Sequence, residues 1–332
     1  MTAEPQEGPL AEALAALDRL AEERGMVLER DAPLAPLTTL RVGGPADRIA
    51  TPRSTTELRD VLEVARLASI PLVVLGKGSD LVVADGGFRG LVIRNRADEM
   101  YGMDDPPTRW VIASGAPMAM VVKRFSALAL SGLEFGISIP GTIGGAVWAN
   151  AGAHEREMRD VVHGVETLDP RDGTTRAFDV AACEFGYRDS RFKHTPEVIV
   201  EAVIEVAPGD GAEIAAKVEG YQAHRRATQP LADQNAGSVF RNPPGDHAGR
   251  LIDMAGLKGF RIGTAAVSDL HANFIVSDRG GRAGDVRRVG DHVRAEVAGR
   301  FGVDLEYEIE FIGEWGGDGQ WATPTSRTEG AR

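Results

Sequence analysis

IPLVVLGKGSDLVVAD, residues 70–85, sets two apolar runs on either side of a glycine turn. Ile70 to Gly76 reads as a buried strand, because a short apolar run with branched residues suits a pleated surface. Gly76 and Gly78 begin a G-x-G. A dinucleotide fingerprint would need a third glycine where Leu81 stands, and a helix after it. Leu81 to Asp85 reads instead as another strand, so the unit is strand–loop–strand. Glycine amides and the Ser79 hydroxyl in such a loop can cradle phosphate oxygens as an anion nest. The same loop is equally an ordinary tight turn.

Upstream, Leu10, Leu14, Leu17 and Ala21 recur at helical spacing, and Gly25 ends that helix. Ser54-Thr55-Thr56-Glu57 is a capping-box pattern that opens a helix running to about Ser69. Downstream, strands are expected at 91–95, 109–114, 162–169, 174–179, 197–206 and 271–276, with helices at 117–130, 211–226 and 247–256. Val286, Val289, Val293 and Val297 mark one more helix, and DLEYEIEFIG (304–313) alternates as a final strand. Strands and helices mix without strict alternation, which predicts an α+β fold rather than a doubly wound sheet.

The 332 residues suffice for about two domains. The formal net charge of −12 argues against a nucleic-acid binder, which must neutralise phosphates. The single cysteine, Cys183, excludes a disulfide framework and a cysteine-rich metal site, and the seven histidines form no HExxH, so no metal is expected. The N-terminus carries no secretory pattern. The one long uncharged stretch, GISIPGTIGGAVWANAGA (136–153), holds Pro140, Asn150 and several glycines, which argue against a membrane span. A cytoplasmic protein is expected.

That uncharged stretch is the second glycine-rich element. Glycine lets backbone approach a ligand closely, and small neighbours suit a flat ring system with a diphosphate; a packing role is the plain alternative. Two such loops without a Walker lysine favour a nucleotide cofactor over a triphosphate hydrolase. FGYRDS (185–190) offers an arginine that can fork onto a carboxylate or phosphate. NAGSVFRNP (235–243) presents Ser238 on a tight turn without the hydrolase elbow. In LEYEI (305–309), period two puts Glu306 and Glu308 on one face. His154-Glu155-Arg156-Glu157 reads as a charged surface segment.

Together these motifs, from about Leu37 to Gly313, resemble the UDP-N-acetylenolpyruvoylglucosamine reductases, flavoenzymes that make UDP-N-acetylmuramate for peptidoglycan. The resemblance rests on TLRVGG (39–44), GKGSD, IPGTIGGAVWANAGA, FGYRDS, AGSVFRNP, AVS…HANFIV (266–276) and LEYEIEFIG. The short run to Ser238, led by HRRATQP (224–230), looks like the type without an extra tyrosine loop. The resemblance implies an FAD-binding fold of the vanillyl-alcohol-oxidase type in two α+β subdomains, 31–97 (with 311–316 returning to it) and 98–212. A substrate-binding α+β subdomain follows at 213–310. Residues 1–30 would be an N-terminal helical extension and 317–332 a mobile tail.

It also implies non-covalent FAD held by Gly76, Lys77, Gly78, Ser79, Asp80, Leu81, Gly115, Pro140, Gly141, Thr142, Gly144, Gly145, Asn150, Ala151 and Gly152. NADPH would be the hydride donor and an enolpyruvyl ether of a UDP-sugar the substrate, with no protein partner inferable. Arg188 and Glu308 match the groups that polarise the substrate carboxylate, and Ser238 the proton donor. Tyr187, Arg241 and Asn242 are substrate-contact candidates. The chain departs from the family pattern at Asp80, where asparagine is usual, at Ile137-Ser138 before the IPGT element, where Ala-Gly is usual, and at His154-Glu155, where Tyr-Gly is usual. A carboxylate near a diphosphate is unfavourable unless it points away or meets a basic group. Two other readings are a different FAD oxidoreductase, such as an oxygen-using alcohol oxidase, and a non-catalytic nucleotide-binding cell-wall regulator.

Overall fold

The computed structural model describes residues 8–315. The expected tail at 317–332 lies outside the described residues. The opening stretch folds as strand Leu72–Leu75, a loop, and strand Leu81–Val83. These strands do not pair with each other. Leu72–Leu75 runs parallel to Phe88–Arg94 at the edge of a four-stranded sheet, whose other strands are Pro45–Ala50 and Leu28–Pro33. Leu81–Val83 pairs in parallel with Glu310–Ile312, from the far end of the chain. The loop therefore crosses between two pairings.

Helices Pro9–Glu23 and Thr55–Ala68 cover the four-stranded sheet, where Leu17, Leu58, Leu62 and Ala65 pack with Leu91 and Ile93. The first helix is thus part of this core. The second starts where its pattern predicts. The Ser54 hydroxyl accepts from the Glu57 amide at 3.1 Å, while the Glu57 carboxylate accepts from the Arg53 amide at 2.7 Å. Ser69 ends the helix with φ +52°. Strands Leu28–Pro33 and Pro45–Ala50 carry no clean alternation, which is why the sequence did not announce them.

A second sheet has five antiparallel strands in the order Thr175–Asp179, Val162–Leu168, Val198–Glu205, Arg109–Ala113, Met100–Gly102. Phe125, Phe135, Phe192, Ile143 and Val147 form the core against it. The glycine-rich stretch is not all loop, because Ile143–Trp148 is helical. Here glycine serves close packing. The Gly144 amide donates to Ser114 O at 2.8 Å, and a Cβ at Gly144 would sit 2.6 Å from Ser114 Cβ.

The third body is an antiparallel sheet in the order Gln234–Ser238, Phe274–Ser277, Ala265–Val267, Arg261–Ile262, under helices Ala248–Met254 and Ala283–Phe301. Val286, Val289, Val293 and Val297 are all buried, as their spacing predicts. Asp85 ties the first body to the third by accepting from the Ala283 and Gly284 amides at 2.9 and 3.1 Å. The expected strand over 304–313 is corrected: only Glu310–Ile312 joins a sheet, and Tyr307 makes a lone bridge to Phe240. The run spans two bodies. Leu305 and Ile309 bury in the third core and Ile312 in the first, so no single strand can flank it. The expected α+β mixture holds. Among the described residues, no helix is long and apolar enough to cross a membrane.

Gly144→Ala should cost about 1–3 kcal/mol, the usual range for overpacking. Urea denaturation measures this, and an unchanged midpoint would show that helix Ile143–Trp148 can shift freely.

Candidate active site

The three bodies meet at a cleft of about 600 Å³. One wall is the 76–81 loop. Another is Pro140, Gly141, Thr142, Gly144, Gly145, Ala151 and Gly152. Arg188, Ser238 and Glu308 complete it. The two glycine-rich loops are joined by the Ser79 hydroxyl, which donates to Pro140 O. The Thr39 hydroxyl donates to Asn235 O at 2.7 Å and the Thr39 amide to Gly78 O at 2.9 Å, so the 76–81 loop and the Ser238 strand are held together.

The glycines here are of two kinds. At Gly78, φ is +60° and a Cβ would lie 2.6 Å from Leu37 O, so its role is steric. A Cβ at Gly141, Gly145 or Gly237 would meet only Ser79 Oγ at 3.3 Å, Thr142 Oγ1 at 3.6 Å, or Ser79 O at 3.8 Å. These three line the cleft, and Gly141 at φ +155° and Gly237 at φ +80° also hold a backbone that favours glycine. A bare backbone wall in a cleft of this size fits a flat ring system with a diphosphate.

Two expected cofactor residues do not line the cleft. A Cβ at Gly115 would strike Ala97 O and Asn95 Oδ1, each at 2.7 Å, so that glycine packs against protein. Asn150 is wholly buried, with its amide donating to Gly186 O at 2.7 Å and Glu157 Oε2 at 2.9 Å. It braces the turn that carries Arg188. Tyr187, Arg241 and Asn242 also lie off the cleft lining. The Tyr187 hydroxyl accepts from the Asn242 amide at 3.4 Å, and Asn242 Oδ1 accepts from the Ala248 amide at 3.0 Å. Arg241 donates to Arg188 O at 3.2 Å, and its buried Nε has no partner among the described residues.

Arg188 holds φ +54°, a strained conformation for a residue with a side chain. Its Nε lies 2.9 Å from Glu308 Oε1, and its Nη2 donates to Gly152 O at 2.8 Å. A Cβ at Gly152 would strike Arg156 O at 2.6 Å and Glu157 Cβ at 2.8 Å, so glycine there serves the close approach of its own paired strand. The Glu308 amide donates to Val239 O at 2.8 Å, which fixes Glu308 beside Ser238. Burial pushes the Glu308 carboxyl above the ordinary carboxylate range, and the Arg188 charge opposes that rise without cancelling it.

Three groups escaped the sequence reading. Lys193 is nearly buried, with Nζ 2.9 Å from Glu310 Oε1 and 4.3 Å above the Trp148 ring. Lysine patterns carry no mark of such burial. Arg225 reaches the cleft from helix Gly211–Thr228, inside a run read only as a lead-in. His154 is a correction. It lines the cleft, stacks on Tyr221 at 3.7 Å, and shares a 2.9 Å hydrogen bond with Ser138. Glu155 and Arg156 beside it are exposed, as expected of a charged segment. Positive φ at both His154 and Glu155 turns the imidazole inward.

Comparison with known proteins covers both halves of this arrangement. Residues 46–179 match the FAD binding domain family, and residues 229–312 match the C-terminal domain of UDP-N-acetylenolpyruvoylglucosamine reductase. The reductase of Moorella thermoacetica is 43% identical over 85% of this chain and 92% of its own length. That of Bacillus subtilis is 38% identical over 88% of this chain and 95% of its own. The crystal structure of the Thermus caldophilus reductase superposes with a TM-score of 0.74 at 34% identity, covering 88% of this chain and 100% of that one. On identity sustained across nearly the whole length of such relatives, the chain belongs to the UDP-N-acetylenolpyruvoylglucosamine reductase family.

Proposed function

We propose that this protein reduces the enolpyruvyl group of UDP-N-acetylenolpyruvoylglucosamine to give UDP-N-acetylmuramate, using FAD in the cleft and NADPH as reductant. The observation that carries the reading is the convergence of Arg188, Ser238 and Glu308 beside an open glycine wall. The 76–81 loop and the Pro140–Gly145 backbone would hold the cofactor. The chemistry that bound FAD supplies is hydride transfer, from the nicotinamide and then to the substrate double bond.

Negative charge then develops toward the substrate carboxylate. Arg188, restrained by Gly152 and Glu308, binds that carboxylate through its planar fork. Glu308 helps only as a protonated acid, and burial favours that form once a substrate anion draws Arg188 away. Ser238 delivers a proton to the developing carbanion. The hydroxyl is a weak acid in water and is suited to donate only against so basic a centre, which exists in the transition state.

The protein should purify yellow, and acid precipitation should release FAD into the supernatant. A colourless protein that takes up no added FAD removes the reading. Ser238→Ala should bleach with NADPH at near-normal rate, while reoxidation by the enolpyruvyl sugar slows ~10²–10⁴-fold, the usual range for a general acid. Stopped-flow absorbance separates the half-reactions, and normal reoxidation would eliminate Ser238 as donor.

Arg188→Ala removes the cation that favours Glu308 in its charged form. The folded variant then holds a proton that the unfolded chain loses near its ordinary pKa of about 4.3, so its stability falls as pH rises through the folded value. The deficit against the parent protein should be small at about pH 4 and about 1–3 kcal/mol near pH 8. Urea denaturation at both pH values reads it. Equal deficits would show that Glu308 does not depend on Arg188 for its charge.

A further inference from the structure

Helix Gly211–Thr228 has few anchors. Ile214 is its one buried residue, and Val218 and Tyr221 pack at the margin of the second body's core. These positions recur at i, i+4 and i+7, so they form one stripe, and Arg225 is the next residue on it. The stripe meets protein at its first three points and the cleft at the fourth. At the third point Tyr221 lies flat on the His154 imidazole, with ring centroids 3.7 Å apart and planes inclined by 9°. His224 meets the same imidazole edge-on at 5.9 Å. The imidazole is held in turn by Ser138, whose Oγ lies 2.9 Å from Nε2. Ser138 and His154 are two of the positions at which the glycine-rich segment departs from the family pattern, and they lie against each other.

Arg225 is placed differently from the paired cations of the cleft. Arg188 and Lys193 each lie 2.9 Å from a carboxylate. Arg225 instead donates from Nε to Gln229 Oε1 at 3.0 Å, and burial weakens its hold on its proton with no carboxylate among the described residues opposing that. Lys77 also lines the cleft, but it is exposed and solvated. A partly buried guanidinium without a counter-ion is costly, and an anion in the cleft relieves that cost. Its planar fork suits a phosphate group. We propose that His154 is a positioning residue, which through its stack with Tyr221 docks helix Gly211–Thr228 so that Arg225 stands in the cleft to take a phosphate group of a bound nucleotide. The nucleotide rests on the functional reading above, and the docking does not. Burial and the neighbouring His224 hold the His154 imidazole below its ordinary range, so near neutral pH the stacked ring is uncharged and another aromatic ring can replace it.

His154→Ala removes the stack and His154→Phe keeps it, and both retain a side-chain-bearing residue at φ +53°, so backbone strain is common to the two. Hydrogen exchange on the full chain as purified reads the docking. Amides of residues 218–228 should exchange about 2–10-fold faster in His154→Ala, matching the loss of one aromatic pair, while residues 211–216 keep the parent rate. His154→Phe should restore the parent pattern. Unchanged exchange in the alanine variant, or a phenylalanine variant no better than alanine, overturns the docking. Dissociation constants for FAD, NADP⁺ and UDP read the aim and identify which nucleotide supplies the phosphate. Arg225→Gln should weaken one of the three by at least about tenfold, as expected for a lost charged hydrogen bond. His154→Ala should weaken the same one by about 2–10-fold, with His154→Phe close to the parent. In the Arg225→Gln background, His154→Ala should bring no further loss, because it acts through that guanidinium. Losses that multiply, or an Arg225→Gln variant that binds all three like the parent, overturn the positioning role. A protein that binds none of the three counts against the functional reading, and hydrogen exchange still decides the docking.

Discussion

The short parallel pairing of Leu81–Val83 with Glu310–Ile312 is the contact on which the rest of the molecule depends. It returns the chain's far end to the 76–81 loop. It sets Glu310 against Lys193 and brings Glu308, two residues earlier, to Arg188. Three residue pairs supply few hydrogen bonds, so the strength must come from burial. Val82, Val83 and Ile312 are almost wholly buried, and each such side chain contributes about 1.5–3 kcal/mol as an upper estimate. Asp85, bonded to the amides that start helix Ala283–Phe301, adds a polar tie one residue beyond Ala84.

This crossing also explains an apparent contradiction of charge. The chain is strongly negative, but several cations line its cleft. Arg188 and Lys193 supply the positive charge there, with Arg225 nearby, and each of the first two is held by a carboxylate. Partly buried ion pairs of this kind contribute little net stability, since desolvation offsets attraction. Their value lies in fixing where a cation waits. On the proposed function, an arriving carboxylate would compete with Glu308 for Arg188 and would leave Glu308 to take a proton.

Much of the fold was legible because its signals are local. The Ser54–Glu57 cap, the valine spacing of 286–297 and the strand–loop–strand at 70–85 each follow from residues within a few positions of one another. What escaped depends on partners far along the chain. The alternation of 304–313 is real, with Leu305 and Ile309 buried and Glu306 exposed, but strand structure needs a neighbour and most of this run has none. Helix Ile143–Trp148 was hidden because its glycines look like breakers, whereas Gly144 is there to meet Ser114. His154 read as surface because a left-handed backbone that turns a side chain inward leaves no mark in composition.

The proposed catalytic trio could be named from the sequence and the residues that brace it could not, for a related reason. Arg188, Ser238 and Glu308 stand in motifs that the family resemblance marks. The residues that hold Arg188 lie elsewhere and do ordinary things. Asn150 binds the carbonyl of Gly186, the carbonyl of Gly152 accepts from the guanidinium, and Arg241 holds the carbonyl of Arg188 itself. Each contact is worth about 1 kcal/mol. Together they must outweigh a left-handed backbone at Arg188, whose cost is of the order of 1–3 kcal/mol. The strain is thus the cost of aiming a long, flexible cation at one place, and Asn150 belongs to the site through that aim although it does not line the cleft.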